Sequence, residues 1–334
     1  MKSVLITGAN GFIGSYLVRA AIEKGYKVTA GIRSTSNLSY LEGLPITYLE
    51  MDLSNKTAIS EVLFKQVSQN SYFDYIIHNA GITNSLHKQD YHTVNFQYTK
   101  NLVNALIDCQ CVPDKFIYMS SLASYGPLDE ESIRPIQEDD LSDPITLYGQ
   151  SKLKAEQFLT SKTDFPFLIF RPTGVYGPRD KDFLLMYKMI HYHIETYIGT
   201  SDQILTLIYV KDLARLIINA MGSDISRKSY FVTDGHQYSA LEFSKVVKTA
   251  LNKKTLRLVF PKTIVQALAY ILEKVAKLNG NTPILNTEKL KEISRKHYLC
   301  DSSPVFTDFG FEPHYDLISG IKESIAWYKQ EKWL

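Results

Sequence analysis

A short apolar segment that runs straight into a glycine-rich turn constrains the fold more than any other feature of this chain. Residues 3–7 read SVLIT, a run typical of a buried strand. A G-x-x-G-x-x-G turn follows, and apolar residues then recur at helical spacing. A strand, such a turn and a helix can hold a dinucleotide pyrophosphate, because a helix N-terminus attracts anions. The residues predicted to surround it are Gly8, Asn10, Gly11, Phe12, Ile13 and Gly14.

Length, charge and cysteine content exclude several classes of protein. A chain of 334 residues can form a large core in one or two domains. Its net charge of +2, from 37 basic and 35 acidic residues, gives no reason to expect a nucleic-acid partner. Cys109, Cys111 and Cys300 lack the spacing of metal ligands. We therefore expect no metal site, and reduced thiols in a cytoplasmic protein.

Strand-like and helix-like segments alternate along the first two thirds of the chain. After the first strand, further strands are predicted at 27–32, 46–50, 75–78, 116–119 and 167–170, with helices between them. Such alternation predicts parallel pairing, so the fold class is α/β with a doubly wound parallel sheet. Ligands bind beyond the carboxyl ends of the strands in such sheets.

The residues after three of these strands carry predictions about the cofactor. Ile32 stands where an acidic residue would bind the ribose of NAD, and Arg33 follows it. A guanidinium is suited to a phosphate, so NADP is favoured and NAD remains possible. Four more residues are predicted to contact the cofactor at the ends of the third and fourth strands: Asp52, Leu53, Ala80 and Gly81.

A candidate catalytic group follows the fifth strand. Tyr148 and Lys152 are four residues apart, so they share one face of a predicted helix. A neighbouring ammonium lowers the pKa of a phenol, which would make Tyr148 a usable acid or base. Two serines, Ser120 and Ser121, end the strand before it, and one hydroxyl there could hold a substrate oxygen.

Taken in order, the motifs TGANGFIG, MDLS, IIHNAG, SSLASYG, YGQSK and RPTGVYGPRD resemble one family. The chain is similar to the extended short-chain dehydrogenases/reductases of the NAD(P)-dependent epimerase/dehydratase type, which have a Rossmann sheet. The resemblance implies hydride transfer between nicotinamide and a substrate carbon. It implies that Tyr148 is the acid/base, that Lys152 holds the nicotinamide ribose and that Ser121 orients the substrate oxygen. The cofactor set that it implies is completed by Asn95, Ser120, Pro172 and Val175.

The resemblance also implies two domains. Residues 1–174 and about 204–233 would form the NAD(P)-binding Rossmann domain, and about 175–203 and 234–334 a smaller mixed C-terminal substrate lobe. Apolar residues recur at helical spacing over 261–278, but the segment is too short and too charged to span a bilayer. We expect this helix to close the pocket, and a helix lying on a membrane surface is the less favoured alternative.

Three functions remain open at this point. The favoured one is an oxidoreductase acting on a carbonyl or secondary alcohol. Many nucleotide-sugar members of the family carry an asparagine at the position of Gly174 and an arginine at about the position of Leu205. Since this chain has neither polar residue, the diphosphate of a nucleotide sugar would lack both partners here. A nucleotide-sugar epimerase or dehydratase that recycles bound cofactor is the first alternative. A non-catalytic NADP-sensing regulator is the second, although binding alone needs no activated phenol.

The predicted partners are a small-molecule substrate and a second copy of the chain. Helices near 91–110 and 146–161 are apolar on more than one face, which indicates a second buried surface. Family members commonly pair these two helices across a two-fold axis, so a homodimer is expected. The apolar residues concerned are Val94, Leu102, Val103, Leu106, Leu153, Phe158 and Leu159. Intramolecular packing is the alternative explanation for them.

Overall fold

The segment with the glycine turn lies inside a parallel sheet. The computed structural model describes residues 1–69, 72–128, 134–199, 203–279, 286–295 and 297–334. In these ranges the strands are β1 (Ser3–Thr7), β2 (Lys27–Ile32), β3 (Thr47–Glu50), β4 (Tyr75–His78), β5 (Lys115–Met119), β6 (Phe167–Pro172), β7 (Gly174–Tyr176), β8 (Ile194–Ile198), β9 (Ile204–Tyr209), β10 (Lys228–Val232), β11 (Gln237–Ser239) and β12 (Leu256–Phe260).

Seven of the described strands form this sheet, in the order β10-β6-β5-β4-β1-β2-β3. The register is parallel on both sides of β1, where Val4 lies opposite Val28 on one side and Tyr75 on the other. The chain thus winds outward in two directions from β1. The predicted doubly wound parallel sheet is confirmed. Except for the edge strand β3, which is largely exposed, these strands are mostly buried because helices cover the sheet, and this explains their nearly continuous apolar sequences.

Helices follow most of the strands. They are α1 (Phe12–Glu23), α2 (Lys56–Ser68), α3 (Lys88–Asp90), α4 (Tyr98–Asp108), α5 (Leu147–Thr160), α6 (Leu184–His191), α7 (Val210–Met221), α8 (Ala240–Leu251), α9 (Lys262–Leu278), α10 (Thr287–Ile293), α11 (Ser303–Phe309) and α12 (Leu317–Gln330). A π-helical segment, Tyr91–Gln97, joins α3 to α4, and Leu122–Ser124 form a short 3₁₀ turn. Within the described ranges, none of the helices combines the length and apolar character that a bilayer crossing needs.

The chain divides into two compact units, and the division differs from the predicted one. The first unit comprises 1–124, 147–171 and 214–230, and the second comprises 125–146, 172–213 and 231–334. The main difference concerns β9, which was expected to return to the large sheet. It pairs instead with β7 in parallel and with β11 in antiparallel orientation. A continuous apolar run does not reveal which sheet a strand joins, because both sheets bury it.

The two units have separate cores. In the first, β5 and the helices α4 and α5 bury side chains around Phe116 and Leu159. In the second, an aromatic cluster forms around Phe243, whose ring stacks on those of Phe183 and Tyr187. Tyr176 and Tyr187 are fully buried in this cluster. They are core residues of the second unit.

Candidate active site

The glycine turn after β1 has the backbone geometry that an anion site needs. Gly8 has a φ of +65°, and a Cβ there would lie 2.8 Å from the backbone nitrogen of Ala80. A Cβ on Gly14 would overlap the carbonyl oxygen of Gly8. Strand and helix therefore approach more closely than any side chain would allow. Gly11 is the N-cap of α1, and no side chain among the described residues caps this helix end. The backbone N–H groups and the positive dipole end at the N-terminus of α1 suit a pyrophosphate.

The segment after β2 is fastened to this turn. Arg33, the first residue beyond β2, is exposed, and its N–H donates to Ser36 Oγ at 3.0 Å. The Asn10 side chain donates to the carbonyl of Asn37 at 3.2 Å. Asn10 thereby ties the Arg33 segment to the glycine turn. The exposed guanidinium is suited to a phosphate on the adenosine ribose.

The two predicted cofactor contacts after β3, Asp52 and Leu53, have different environments. Asp52 is exposed, and its carboxylate accepts hydrogen bonds from the hydroxyl of Ser54 at 2.6 Å and from its N–H at 2.9 Å. These bonds hold the pKa of Asp52 below its usual range. Leu53 packs against the core of the first unit, while its carbonyl accepts from Asn101 at 3.0 Å. Asp52 therefore presents a fixed carboxylate, whereas Leu53 is anchored on the core.

Asn95 fixes the turn that follows β4. It is fully buried in the π-helical segment, and it bonds both backbone groups of Ile82, at 2.8 Å and 3.0 Å. Its amide also donates to Ser151 Oγ at 3.0 Å. A Cβ on Gly81 would lie 2.9 Å from Asn95 Oδ1 and 3.3 Å from Lys152 Nζ. Asn95 thus holds the Ala80–Gly81 backbone against α5, and Gly81 borders the lysine ammonium.

Lys152 is the best defined of the three predicted catalytic residues. It is buried, and its ammonium donates to the carbonyl of Met119, at the end of β5, at 2.7 Å. The ammonium lies 4.9 Å from the ring centroid of Tyr118 and 6.0 Å from that of Tyr148. Burial lowers the pKa of Lys152 to about 8, although Glu156 opposes this shift. The structure therefore brings Tyr148 and Lys152 together, with Tyr148 half-buried in the first turn of α5.

Behind Lys152 lies a buried ion pair that our sequence analysis did not identify. Glu156 Oε2 accepts from Arg171 Nε at 2.9 Å and from Nη2 at 2.8 Å, and Glu156 Oε1 accepts from Ser120 Oγ. Both charged side chains are almost fully buried. One signal was available, since Glu156 is four residues after Lys152 on the same helix face. The sequence also placed Arg171 at the end of a predicted strand, but it did not show that Arg171 pairs with Glu156.

The two adjacent serines differ in what they can do. Ser120 is buried and its hydroxyl donates to Glu156, whereas Ser121 is only half-buried. Ser121 Oγ accepts the N–H of Ala123 at 3.2 Å. Ser121 is therefore the more accessible hydroxyl of the pair.

A buried histidine, His78, lies at the end of β4. Its Nδ1 is 2.8 Å from Thr7 Oγ1 and its Nε2 is 2.9 Å from Thr99 Oγ1. Burial, with a contribution from the Lys152 charge, lowers the pKa of His78 to about 3. His78 is therefore neutral near pH 7. It links β1, β4 and α4 beneath the site.

Two predicted cofactor residues belong to the second unit. Pro172 is the last residue of β6, and Val175 lies in β7 opposite Ile208. In the part of the chain that the structure describes, no cluster of His, Cys, Asp or Glu could hold a metal ion.

The parallel sheet, the glycine turn at the end of its first strand and the buried lysine beside a tyrosine define a dinucleotide-dependent α/β enzyme. Comparison with known proteins identifies the family. A profile of the NAD dependent epimerase/dehydratase family matches residues 4–232, more than half of the chain. The chain belongs to this family, whose members are extended short-chain dehydrogenase/reductase enzymes. The predicted resemblance and the predicted enzyme class are confirmed, and the regulator alternative has no support.

Relatives with different activities match at similar identity. The chain is 26% identical over 290 residues to sterol-4-alpha-carboxylate 3-dehydrogenase, decarboxylating, from Dictyostelium discoideum, covering 83% of this chain and 86% of that protein. It is 28% identical over 344 residues to UDP-glucose 4-epimerase from Vibrio cholerae, covering 98% and 96%. The crystal structure of UDP-glucuronic acid 4-epimerase from Bacillus cereus in complex with NAD has a TM-score of 0.77 at 24% identity, covering 99% of each chain. This last likeness shows the fold.

Proposed function

We propose that this enzyme transfers a hydride between a nicotinamide cofactor and a carbonyl or secondary alcohol, with Tyr148 as the acid/base. The observation that carries the proposal is the buried Lys152 ammonium, bonded to Met119 and 6.0 Å from the Tyr148 ring. An ammonium near a phenol favours the ionised phenolate. Tyr148 then donates a proton to the oxygen when a carbonyl is reduced, and removes it when an alcohol is oxidised.

The first unit would hold the cofactor, which supplies or accepts the hydride when bound. The α1 N-terminus would bind the pyrophosphate, and Lys152 the nicotinamide ribose. Ser121, the more accessible hydroxyl, would hold the substrate oxygen next to Tyr148. Other residues proposed to line the cofactor are Gly8, Asn10, Gly11, Phe12, Ile13, Gly14, Asp52, Leu53, Ala80, Gly81, Ser120, Pro172 and Val175. Asn95 would act through its bonds to the turn that contains Gly81.

The family is NAD-dependent, and within it we propose a preference for NADP(H). Arg33 supports this because it is an exposed guanidinium beside a strand end that lacks an acidic residue. A charge-assisted contact to a phosphate contributes roughly 1.5–3 kcal/mol. NADPH should therefore bind about one to two decades more tightly than NADH.

Two positions in the second unit favour an apolar substrate. A Cβ on Gly174 would lie 2.9 Å from Leu207 Cδ2 and 3.3 Å from Phe183 Cζ, so a side chain there would meet apolar groups. Leu205 packs against the aromatic core cluster of the same unit. Two positions that carry polar residues in nucleotide-sugar members are thus surrounded by apolar side chains. A diphosphate would be costly to bury without partners.

A nucleotide-sugar epimerase or dehydratase remains the second candidate, because the Vibrio cholerae relative is a UDP-glucose 4-epimerase that matches 98% of this chain. Two measurements separate the two candidate functions: turnover and thermal shift. Both use a panel of ketones, sterol and other secondary alcohols, and UDP- and dTDP-sugars. Cofactor consumption with the carbonyl or alcohol panel supports our proposal. Stabilisation by a nucleotide sugar, with an isomerised product and no net cofactor consumption, would overturn it.

We further propose a homodimer formed through the π-helical segment and α5. Leu102, Val103, Leu106 and Leu159 are fully buried within the chain, so intramolecular packing explains them. Val94 and Leu153 are only half-buried, and they support a second surface. Light scattering should give a dimer mass at micromolar concentration for the wild type and a monomer mass for Leu153→Glu. A monomeric wild type would contradict the proposal.

We propose a cytoplasmic location from the state of the thiols. Cys109, Cys111 and Cys300 are all free, and burial raises the pKa of Cys111 to about 11. Unpaired cysteines are typical of a reducing compartment. Fractionation of native cells tests this, and recovery of the protein outside the cytoplasmic membrane would contradict it.

A further inference from the structure

One helix of the second unit exposes a continuous apolar stripe. Five residues of α9 recur at intervals of four and three, and each is at least 49% exposed: Ile264, Leu268, Ile271, Val275 and Leu278. The helix rests on its other side, where Val265 and Ala269 are buried together with Leu290 of α10. Among the described residues, the apolar stripe of α9 is not part of the core of this unit.

The exposed apolar surface continues into the strand that precedes the helix. Leu256 is 67% exposed, Val259 50% and Phe260 37%, all in β12. Single exposed apolar residues are common on protein surfaces, whereas contiguous ones mark an interaction site. Leu256 and Phe260 lie on one face of β12 and Val259 on the other, so exposed apolar residues are concentrated in this strand and in the α9 stripe that follows it.

Basic residues accompany this surface. Residues 253–278 contain six basic residues and one acidic residue, although the whole chain is nearly balanced at 37 and 35. Lys254, Arg257 and Lys274 are exposed, although Arg257 Nε also lies 3.9 Å from Glu195 Oε1. The Lys274 ammonium lies 5.3 Å from the centroid of the Tyr270 ring. The acidic residue, Glu273, accepts two hydrogen bonds from Thr287, from its N–H at 2.8 Å and its hydroxyl at 2.9 Å. The carboxylate of Glu273 is therefore hydrogen-bonded to α10.

We propose that α9 and β12 bind the surface of an anionic lipid bilayer, a property beyond the proposed catalytic function. An apolar helix face bordered by lysines lies in the plane of the interface, with its apolar side chains among the acyl chains. Basic side chains beside it gain from anionic headgroups. Tyr270, exposed next to Lys274, has the amphipathic ring that is enriched at headgroup level.

A second copy of the chain is a poorer occupant of the same surface. A two-fold contact would place the patch against itself, and so bring Lys254, Arg257 and Lys274 of both copies together. Like charges across an interface oppose association. Anionic lipid neutralises these charges. The sequence had favoured a helix that closes a pocket, but the outward direction of the apolar stripe supports contact with a bilayer.

Vesicle co-sedimentation of the full chain tests the proposal. The wild type is mixed with vesicles of phosphatidylcholine alone and with vesicles containing about 30% phosphatidylserine, a content that gives the negative surface potential of a cytoplasmic leaflet. Binding should be about tenfold or more stronger on the anionic vesicles. The double variant Leu268→Gln with Ile271→Gln should lose it, and Lys254→Gln with Lys274→Gln should lose the preference for anionic vesicles.

Phe64→Gln is the matched control, because Phe64 is 68% exposed on α2 in the first unit. It should bind vesicles like the wild type, and equal melting temperatures would show that all variants fold. A wild type that binds neither vesicle would overturn the proposal. The proposal would also be overturned if the double variant Leu268→Gln with Ile271→Gln bound vesicles as well as the wild type. The same holds if this variant converted a wild-type dimer to a monomer while vesicle binding persisted.

Discussion

Arg171 holds the carboxylate of Glu156 through two hydrogen bonds, of 2.9 Å and 2.8 Å, in the buried interior behind Lys152. Breaking a buried pair from one side leaves an uncompensated charge, which typically costs about 3–5 kcal/mol. Glu156→Gln should therefore lower the free energy of unfolding by roughly that amount, as urea denaturation would show. Asp108→Asn removes an exposed partner of Lys56 and should cost about 1 kcal/mol or less. Equal effects of the two variants would contradict this account.

The same carboxylate should tune Lys152. Glu156 raises the pKa of Lys152, while burial lowers it to about 8. Without the carboxylate, the ammonium should lose its proton at lower pH. Calorimetric titration of the cofactor from pH 6 to 9 should show affinity falling near pH 8 in the wild type, and lower in Glu156→Gln. A purely structural role for Glu156 would leave this midpoint unchanged.

Removal of the Tyr148 hydroxyl should affect chemistry and spare cofactor binding. Tyr148→Phe takes away only the group that exchanges a proton, so turnover should fall by ~10²–10⁴-fold. The cofactor dissociation constant should stay within about threefold of the wild-type value, since Lys152 remains. Tyr72→Phe is the control, because Tyr72 is exposed elsewhere in the first unit. Near-normal turnover of Tyr148→Phe would remove Tyr148 from the mechanism.

The cofactor preference should depend on Arg33. Arg33→Ala should weaken NADPH binding by about one to two decades and leave NADH binding nearly unchanged. Lys27→Ala is the control, because Lys27 is exposed at the opposite end of the same strand, β2. Isothermal calorimetry of both cofactors with each variant measures the ratio. A wild type that binds the two cofactors equally would contradict the preference.

His78 should make stability depend on pH. Its folded pKa is about 3, below the ordinary value of 6.5, so the unfolded chain binds the proton more readily between these values. The stabilisation is complete above pH 6.5 and is lost as the pH falls towards 3, by on the order of 5 kcal/mol in total. Urea denaturation at pH 7 and pH 5 should show this slope, and His78→Asn should reduce it. His87→Gln, at an exposed histidine, should keep the wild-type slope.

The sequence predicted the features that depend on local spacing. The strand, glycine turn and helix of residues 3–14 were visible because each obeys its own periodicity, and the proximity of Tyr148 to Lys152 followed from one helical turn. Contacts between distant segments were not visible. The pairing of Glu156 with Arg171, the burial of His78 between Thr7 and Thr99, and the pairing of β9 with β7 all depend on tertiary packing. The sequence could not predict that the α9 stripe is exposed either, because apolar residues recur at the same helical spacing on a buried face and on an exposed one.

We propose a net hydride transfer to a carbonyl substrate with Tyr148 as the proton donor. The most direct measurement uses NADPH that carries deuterium at its transferable position, with mass spectrometry of the products from the carbonyl and nucleotide-sugar panels. We predict deuterium on the former carbonyl carbon of an alcohol product, with one NADPH consumed for each product formed, and transfer by Tyr148→Phe slowed ~10²–10⁴-fold. An isomerised nucleotide sugar that contains no deuterium, formed without net cofactor consumption, would contradict the account.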